Sequence, residues 1–400
     1  MLCGLPCSSK RSDVVEPSPN TLAVDSRRRS LPGNNTGFLD ICGEAEEEEA
    51  KGESSTTFDK VLDKHKFEAQ ALATAILERA DDISKKQGTG ASVARHPEAF
   101  AEAHCFPTYV PLGCFVVGHT NTDMDSVASA IGAAHLFGGV ACRAERSLNG
   151  EITHALEFSE YDKWEGRSGI DLSSGKIIYG AAARKAQEAQ EAAVGKPGAA
   201  SFPPFIDDLP MAIDPYNASG GLVLVDHNEP GQSPTSIGNV LSGDDAKRAS
   251  AMRNRIKGVI DHHAVSDKFK SSGPCFVDIR PWGSACSIVT SMYVRLGKPM
   301  PVPVAKVLLC GILSDTINLT SPTTTDADRL MATLLVFLAG VEHPNQLASA
   351  MFKAKTRWFV DLGAYEMVRG DQKTFSAGEA KFGWATVEVT AADVVLETAA

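Results

Sequence analysis

Apolar residues along the middle of the chain fall into two alternating rhythms. Short unbroken runs, Cys114-Phe115-Val116-Val117, Leu222-Val223-Leu224-Val225 and Ile256-Lys257-Gly258-Val259-Ile260, read as buried strands. Longer stretches, such as Val127 to Leu136 and Leu308 to Leu313, read as helices. This alternation, from about 112 to 345, predicts an α/β domain with a mainly parallel sheet flanked by helices. Before it, Phe58, Val61, Leu62, Phe67, Leu72, Ile76 and Leu77 predict a helix within an extension over 58–111, packed on that domain. Late in it, Thr323-Thr324-Thr325-Asp326 looks like a capping start for a helix to 339, with Leu330, Leu334, Leu335 and Leu338 on one face. A second helix is expected over 344–354. Residues 165–220 break the rhythm and read as an insert: an Ala-rich helix from Ala181 to Ala193, then a loop from Gly195 to Gly221. From 346 a linker leads to Asp371–Phe375 and the strand-like Gly383–Val389, the start of a second, incomplete α/β domain. Residues 1–57 carry Arg27-Arg28-Arg29 before Ser30, and an acidic run from Glu44 to Glu49, and read as disordered.

The polar residues that interrupt these elements carry the chemistry. After the first strand comes Gly118-His119-Thr120-Asn121-Thr122-Asp123-Met124-Asp125-Ser126, on a strand-to-helix turn. The second strand leads into Asp226-His227-Asn228-Glu229 and the third into Asp261-His262-His263. The helix ending at Leu313 leads into Ser314-Asp315-Thr316. Any one cluster has a bland reading, since Asp and Asn often cap helices. Four together, three of them after strands of an α/β sheet, point to a divalent metal, because grouped carboxylates and imidazoles need a positive partner. Gly283-Ser284-Ala285-Cys286-Ser287 precedes a helix and reads either as an N-cap or as a phosphate cradle. His135, on the helix after the first cluster, reads as a packed core histidine.

These four segments, in this order, resemble the motifs of the DHH phosphoesterase superfamily, and most closely those of the family II inorganic pyrophosphatases. Gly118-His119 favours that branch, because the exopolyphosphatase and prune-like branch usually has Asn at the His position. The resemblance covers about 113–375, with the insert. It implies two metal ions, Mn2+ or Co2+. His119, Asp123 and Asp226 would hold one, and Asp125, Asp226, His262 and Asp315 the other, with Asp226 as bridge. It implies hydrolysis of pyrophosphate to two phosphates by a metal-bridging hydroxide, with Mg2+ arriving on the substrate. His263 would face substrate and His227 would stand behind the ligands, while Asn121 and Asn228 orient them. Lys355 is the candidate for a substrate-binding lysine, with Lys353 competing and Arg369 weaker. Thr122 and Met124 depart from the family's usual Pro and Thr. The family's basic Ser-Arg-Lys motif is absent from these residues. Two other readings stay open: the linker around Lys355 and Arg369 resembles that of an exopolyphosphatase, and the absent motif suits a truncated, weakly active metal-binding protein. A homodimer is implied by resemblance alone.

Composition narrows the partners. With 50 acidic against 39 basic residues the net charge is −11, which leaves no electrostatic footprint for nucleic acid. The nine cysteines form no C-x-x-C pair, and several sit in apolar runs, which suggests a reducing, cytoplasmic setting. No apolar run nears the ~20 residues of a membrane span.

Overall fold

The computed structural model describes residues 57–87, 110–171, 173–194, 203–217 and 220–370, and, towards the carboxyl end, 372–378, 380–385 and 389. In chain order the elements begin with α1 (Thr57–Gln87), β1 (Phe115–Val117), α2 (Met124–Phe137), β2 (Val140–Cys142) and α3 (Gly150–Ser159). A hairpin of β3 (Ser168–Asp171) and β4 (Lys176–Tyr179) follows, then α4 (Gly180–Val194), β5 (Leu222–Val225), α5 (Thr235–Ser242) and α6 (Ala246–Arg255). Next come β6 (Ile256–Asp261), β7 (Phe276–Ile279), α7 (Ala285–Leu296), α8 (Val302–Asp315) and α9 (Asp326–Ala339). The chain continues through α10 (Pro344–Leu362), α11 (Ala364–Gly370) and an antiparallel hairpin of β8 (Gln372–Ala377) and β9 (Ala380–Ala385).

Five strands form one parallel sheet in the order β2-β1-β5-β6-β7. Alternate residues of each strand enter opposite cores. Val116, Val223, Val225 and Ile260 pack with Ile131 of α2, Val289 of α7, Leu308 of α8 and Leu334 of α9. Phe115, Val117, Leu222, Leu224 and Val259 face the other way, against Ile237 and Leu241 of α5 and Met252 of α6. A sheet buried on both faces explains why its strands read as continuous apolar runs. After β1 the chain pairs β2 on one side, then returns to pair β5 on the other. The carboxyl ends of β1 and β5 therefore flank a topological switch point, where open α/β sheets place their ligands.

The structure differs from the sequence reading in three places. The insert contains the β3–β4 hairpin ahead of its helix. The segment read as a loop up to Gly221 buries Ile206, Leu209 and Ala212 in the second core, and Arg255 donates hydrogen bonds to the carbonyls of Met211, Ala212 and Asp214. Backbone that lies under a sheet must find such partners. The helix expected over 344–354 runs on to Leu362, because Met351, Thr356 and Phe359 continue its buried face. Lys355 thus lies inside a helix and not in an open linker. Residues 1–56, expected to be disordered, lie outside the described residues, as do 88–109.

Candidate metal centre

The turn after β1 is shaped by Gly118. A Cβ there would stand 2.5 Å from the Ser126 Cβ, so only glycine lets the strand end lie this close to α2. Asp123 caps α2, accepting from the Ser126 backbone N–H through Oδ1 at 2.9 Å. That duty uses one oxygen, and the other lies 3.4 Å from His119 Nε2. Asn121 and Thr122 donate their backbone N–H groups to the Glu145 carboxylate at 3.0 and 3.2 Å, which holds the departing Thr122 in place.

Asp226 follows β5 with φ of 60°, a left-handed conformation that Asp tolerates better than most residues. Its backbone N–H donates to the Ile260 carbonyl at 2.8 Å. Its two oxygens diverge: Oδ2 is 3.1 Å from His119 Nε2, and Oδ1 is 3.1 Å from His262 Nε2. The Ser126 hydroxyl donates to Oδ2 at 2.8 Å and fixes this orientation. His262 Nε2 also lies 3.3 Å from Asp315 Oδ2, at the end of α8, and 3.8 Å from Asp125 Oδ2. Donor atoms group as His119, Asp123 and Asp226; as Asp125, His262 and Asp315; and as Asp226, His262 and His263, each set within 4.8 Å. All the residues expected to ligate are thus brought together from four separate segments, with Asp226 between the two sides.

The donor chemistry fits divalent ions. His119 Nδ1 lies 2.7 Å from the Thr120 carbonyl, and His262 Nδ1 lies 3.1 Å from the Trp282 carbonyl. An imidazole that donates Nδ1–H to a backbone carbonyl presents Nε2 as its free ligand atom, and both Nε2 atoms face the carboxylates. Burial alone would lower the pKa of His262, but Asp226, Asp125 and Asp315 raise it to about 11. His119 is likewise raised well above its ordinary value against burial, by Asp123 and Asp226. Burial and the neighbouring Asp226 push Asp125 up to about 7, and burial with Asp125 pushes Asp315 well up. So much buried negative charge calls for a strong cation, and protons compete with metal for it. Mixed imidazole and carboxylate donors suit a divalent transition metal, whereas Mg2+ prefers all-oxygen sites.

The remaining candidates separate clearly. Ser284 Oγ and the backbone N–H groups of Ala285 and Cys286 donate to Asp125 at 2.5, 2.7 and 3.0 Å. The amino end of α7 therefore orients a carboxylate, and these N–H groups are not a phosphate cradle. Asp261 is buried and accepts from the backbone N–H groups of His262 and His263, with His263 Nδ1 at 2.9 Å. Asn228 donates to Asp261 at 2.6 Å and so braces the Asp-His-His turn. His263 itself is exposed. His227 is buried, its Nδ1 2.8 Å from the Val225 carbonyl and Nε2 3.1 Å from Ser233 Oγ, and burial lowers its pKa to about 4. His135 packs on Tyr293, 2.6 Å from its hydroxyl. Asn121 carries a left-handed φ of 55°. Lys355 lies 3.5 Å from the Glu151 carboxylate, Lys353 is exposed, and the Arg369 side chain lies outside the described residues. Glu145 and Glu151 went unread, and Ser126, Asp261 and Ser284 were read as parts of motifs but not as groups that aim a ligand. For Ser126 a signal existed, since it sits where an N-cap Asp123 would bond.

Comparison with known proteins agrees with the motifs. The DHH family, N-terminal domain, matches residues 114–312. A "Probable manganese-dependent inorganic pyrophosphatase" from Shouchella clausii is 28% identical over 284 residues, covering 70% of each chain. One of the same name from Bacillus cereus is 29% identical over 285 residues, covering 70% of this chain and 72% of that one. A solved Methanococcus jannaschii protein, assigned provisionally to the family II inorganic pyrophosphatases, is 25% identical with a TM-score of 0.48, covering 70% of this chain and 74% of that one. The chain therefore carries a DHH domain and is homologous to the family II, manganese-dependent inorganic pyrophosphatases.

Proposed function

We propose that this protein hydrolyses inorganic pyrophosphate to two phosphates at a pair of divalent metal ions. The observation that carries the reading is Asp226, whose two oxygens each stand 3.1 Å from a different imidazole. His119, Asp123 and Asp226 would hold one ion, and Asp125, Asp226, His262 and Asp315 the other. Bound there, the ions would neutralise the polyanion and make water a nucleophile at neutral pH. The protein's own part is orientation. Ser126 aims Asp226, the amino end of α7 aims Asp125, and backbone carbonyls fix both imidazoles. His263, exposed and anchored through Nδ1 to Asp261, is placed to bind a phosphate oxygen or to protonate the leaving phosphate. Lys355 adds positive charge for the substrate from α10.

Phosphate release by the purified chain with Mn2+, on pyrophosphate and on long-chain polyphosphate in parallel, tests this. Fast release from pyrophosphate is expected. Release from polyphosphate alone would move the protein to exopolyphosphatase. No release from either would leave the reading without its reaction.

A further inference from the structure

Glu151 is a fully buried carboxylate that the metal centre does not use. It sits in the first turn of α3, capped by Asn149, which accepts from the Ile152 backbone N–H at 2.9 Å. Its side chain is 0% exposed, and Lys355 Nζ of α10 lies 3.5 Å away, 17% exposed. The helices approach closely because residue 150 is glycine: a Cβ there would stand 2.3 Å from the Ala354 carbonyl oxygen and 2.8 Å from the Trp358 Cβ. Gly150 is thus a socket for the backbone of α10, and Glu151 meets the next residue's ammonium. α3 and α10 both pack against α8, the helix that ends at Asp315 of the metal centre. The pair therefore ties α10 to α3 beside the helix that carries Asp315.

We infer that Glu151 is a positioning residue, which holds the Lys355 ammonium at the edge of the metal centre for the substrate's phosphate oxygens. The inference rests on the pyrophosphatase reading and deepens it. A lysine side chain left to itself spreads over many rotamers, and freezing it costs entropy on each binding event. A buried carboxylate beside it meets that cost during folding, and the low dielectric around Glu151 strengthens the attraction. The carboxylate also shares the ammonium, so Lys355 remains oriented without being fully neutralised. A buried charge is costly unless paired, so Glu151 without Lys355 has no evident structural use.

The test is a double-mutant cycle on the full 400-residue chain loaded with Mn2+. It uses Glu151→Gln, Lys355→Met and the double variant, and reads the affinity for imidodiphosphate by calorimetry. Each single variant is expected to weaken imidodiphosphate by about tenfold or more, in line with one charged hydrogen bond. The double variant should be no weaker than Lys355→Met alone, with Mn2+ binding unchanged throughout. In pyrophosphate turnover KM should rise more than kcat falls. Should Glu151→Gln lose its fold, Glu151→Asp, which keeps the charge but withdraws it, carries the same expectation. Wild-type affinity in Glu151→Gln, or losses that add in the double variant, would overturn the inference while turnover stood. A coupled pair in a wild-type protein that releases no phosphate would overturn the pyrophosphatase reading and leave the pair. A wild type that binds no imidodiphosphate would overturn both.

Discussion

Asp226 concentrates the chemistry into one side chain. Its left-handed backbone turns the carboxylate back across the ends of β5 and β1, so each oxygen meets a different half of the centre. Asp226→Asn should remove both Mn2+ binding and turnover, because one oxygen becomes an N–H donor. Calorimetric titration with Mn2+ checks this, and retained occupancy at wild-type rate would contradict the bridging role. Ser126→Ala is a milder cut. It removes the 2.8 Å hydrogen bond to Asp226 and should weaken Mn2+ about 10- to 100-fold, as loss of an outer partner typically does. A different residue-scale feature lies just past Asp315, where Ile317, Asn318 and Leu319 carry φ of 48°, 53° and 64°. A β-branched residue pays most for this conformation. Ile317 is half-exposed, so Ile317→Asn should raise stability by about 1 kcal/mol in urea unfolding. An unchanged or lower midpoint would mean that the strain is absorbed elsewhere.

Elements matter here by where they end. The ligands come from the carboxyl ends of β1, β5 and β6 and of α8, so the sheet order brings together positions 119 to 315 without any long loop. α2 is buried along its whole length and ends against Lys298, whose ammonium donates to the His135 and Leu136 carbonyls at 2.5 and 2.9 Å. That placement favours a cation at the helix end, but burial lowers the Lys298 pKa to about 7. The unfolded lysine keeps its proton up to about 10.4, so between pH 7 and 10 unfolding takes up a proton. This residue should therefore make the fold more stable as pH rises through that window. Read as the difference between wild type and Lys298→Met, the slope should be positive in wild type and reduced in the variant. Equal slopes would show that Lys298 stays charged in the fold.

The elements also show what could be read from the chain. The three ligand-bearing strands and α8 were legible because a sheet covered on both faces forces continuous apolar runs, each ended by Asp or His. β2, Val140-Ala141-Cys142, and the β3–β4 hairpin were not, since they are as short as β1 and β5 but lead into no cluster of Asp and His that would mark them. The ligand positions were legible through a family resemblance carried by Gly118-His119 and Asp261-His262-His263. The supporting contacts were not. Glu151 and Lys355 are far apart in sequence, and nothing local marks Gly150 as the place where α3 meets α10.

At the scale of the molecule, two cores share one sheet, and the chain crosses the sheet's switch point between them. No helix among the described residues is long and apolar enough to cross a membrane. The cysteines at 114, 142, 275, 286 and 310 are free, and all but Cys275 are buried. The centre packs Asp123, Asp125, Asp226 and Asp315 around two imidazoles, so their mutual repulsion opposes folding unless cations intervene. Mn2+ at a thousandfold excess over its dissociation constant should stabilise the fold by about 4 kcal/mol. Thermal unfolding with Mn2+ and after chelation measures this, and equal midpoints would argue against a metal held by the native state alone.

The most direct measurement titrates Mn2+ into the metal-free chain and reads bound metal and phosphate release from pyrophosphate together. Turnover is expected to stay low until the second ion binds each chain and to reach its limit at two. Full turnover at one ion per chain, or none at two, would contradict a reaction carried by an Asp226-bridged pair.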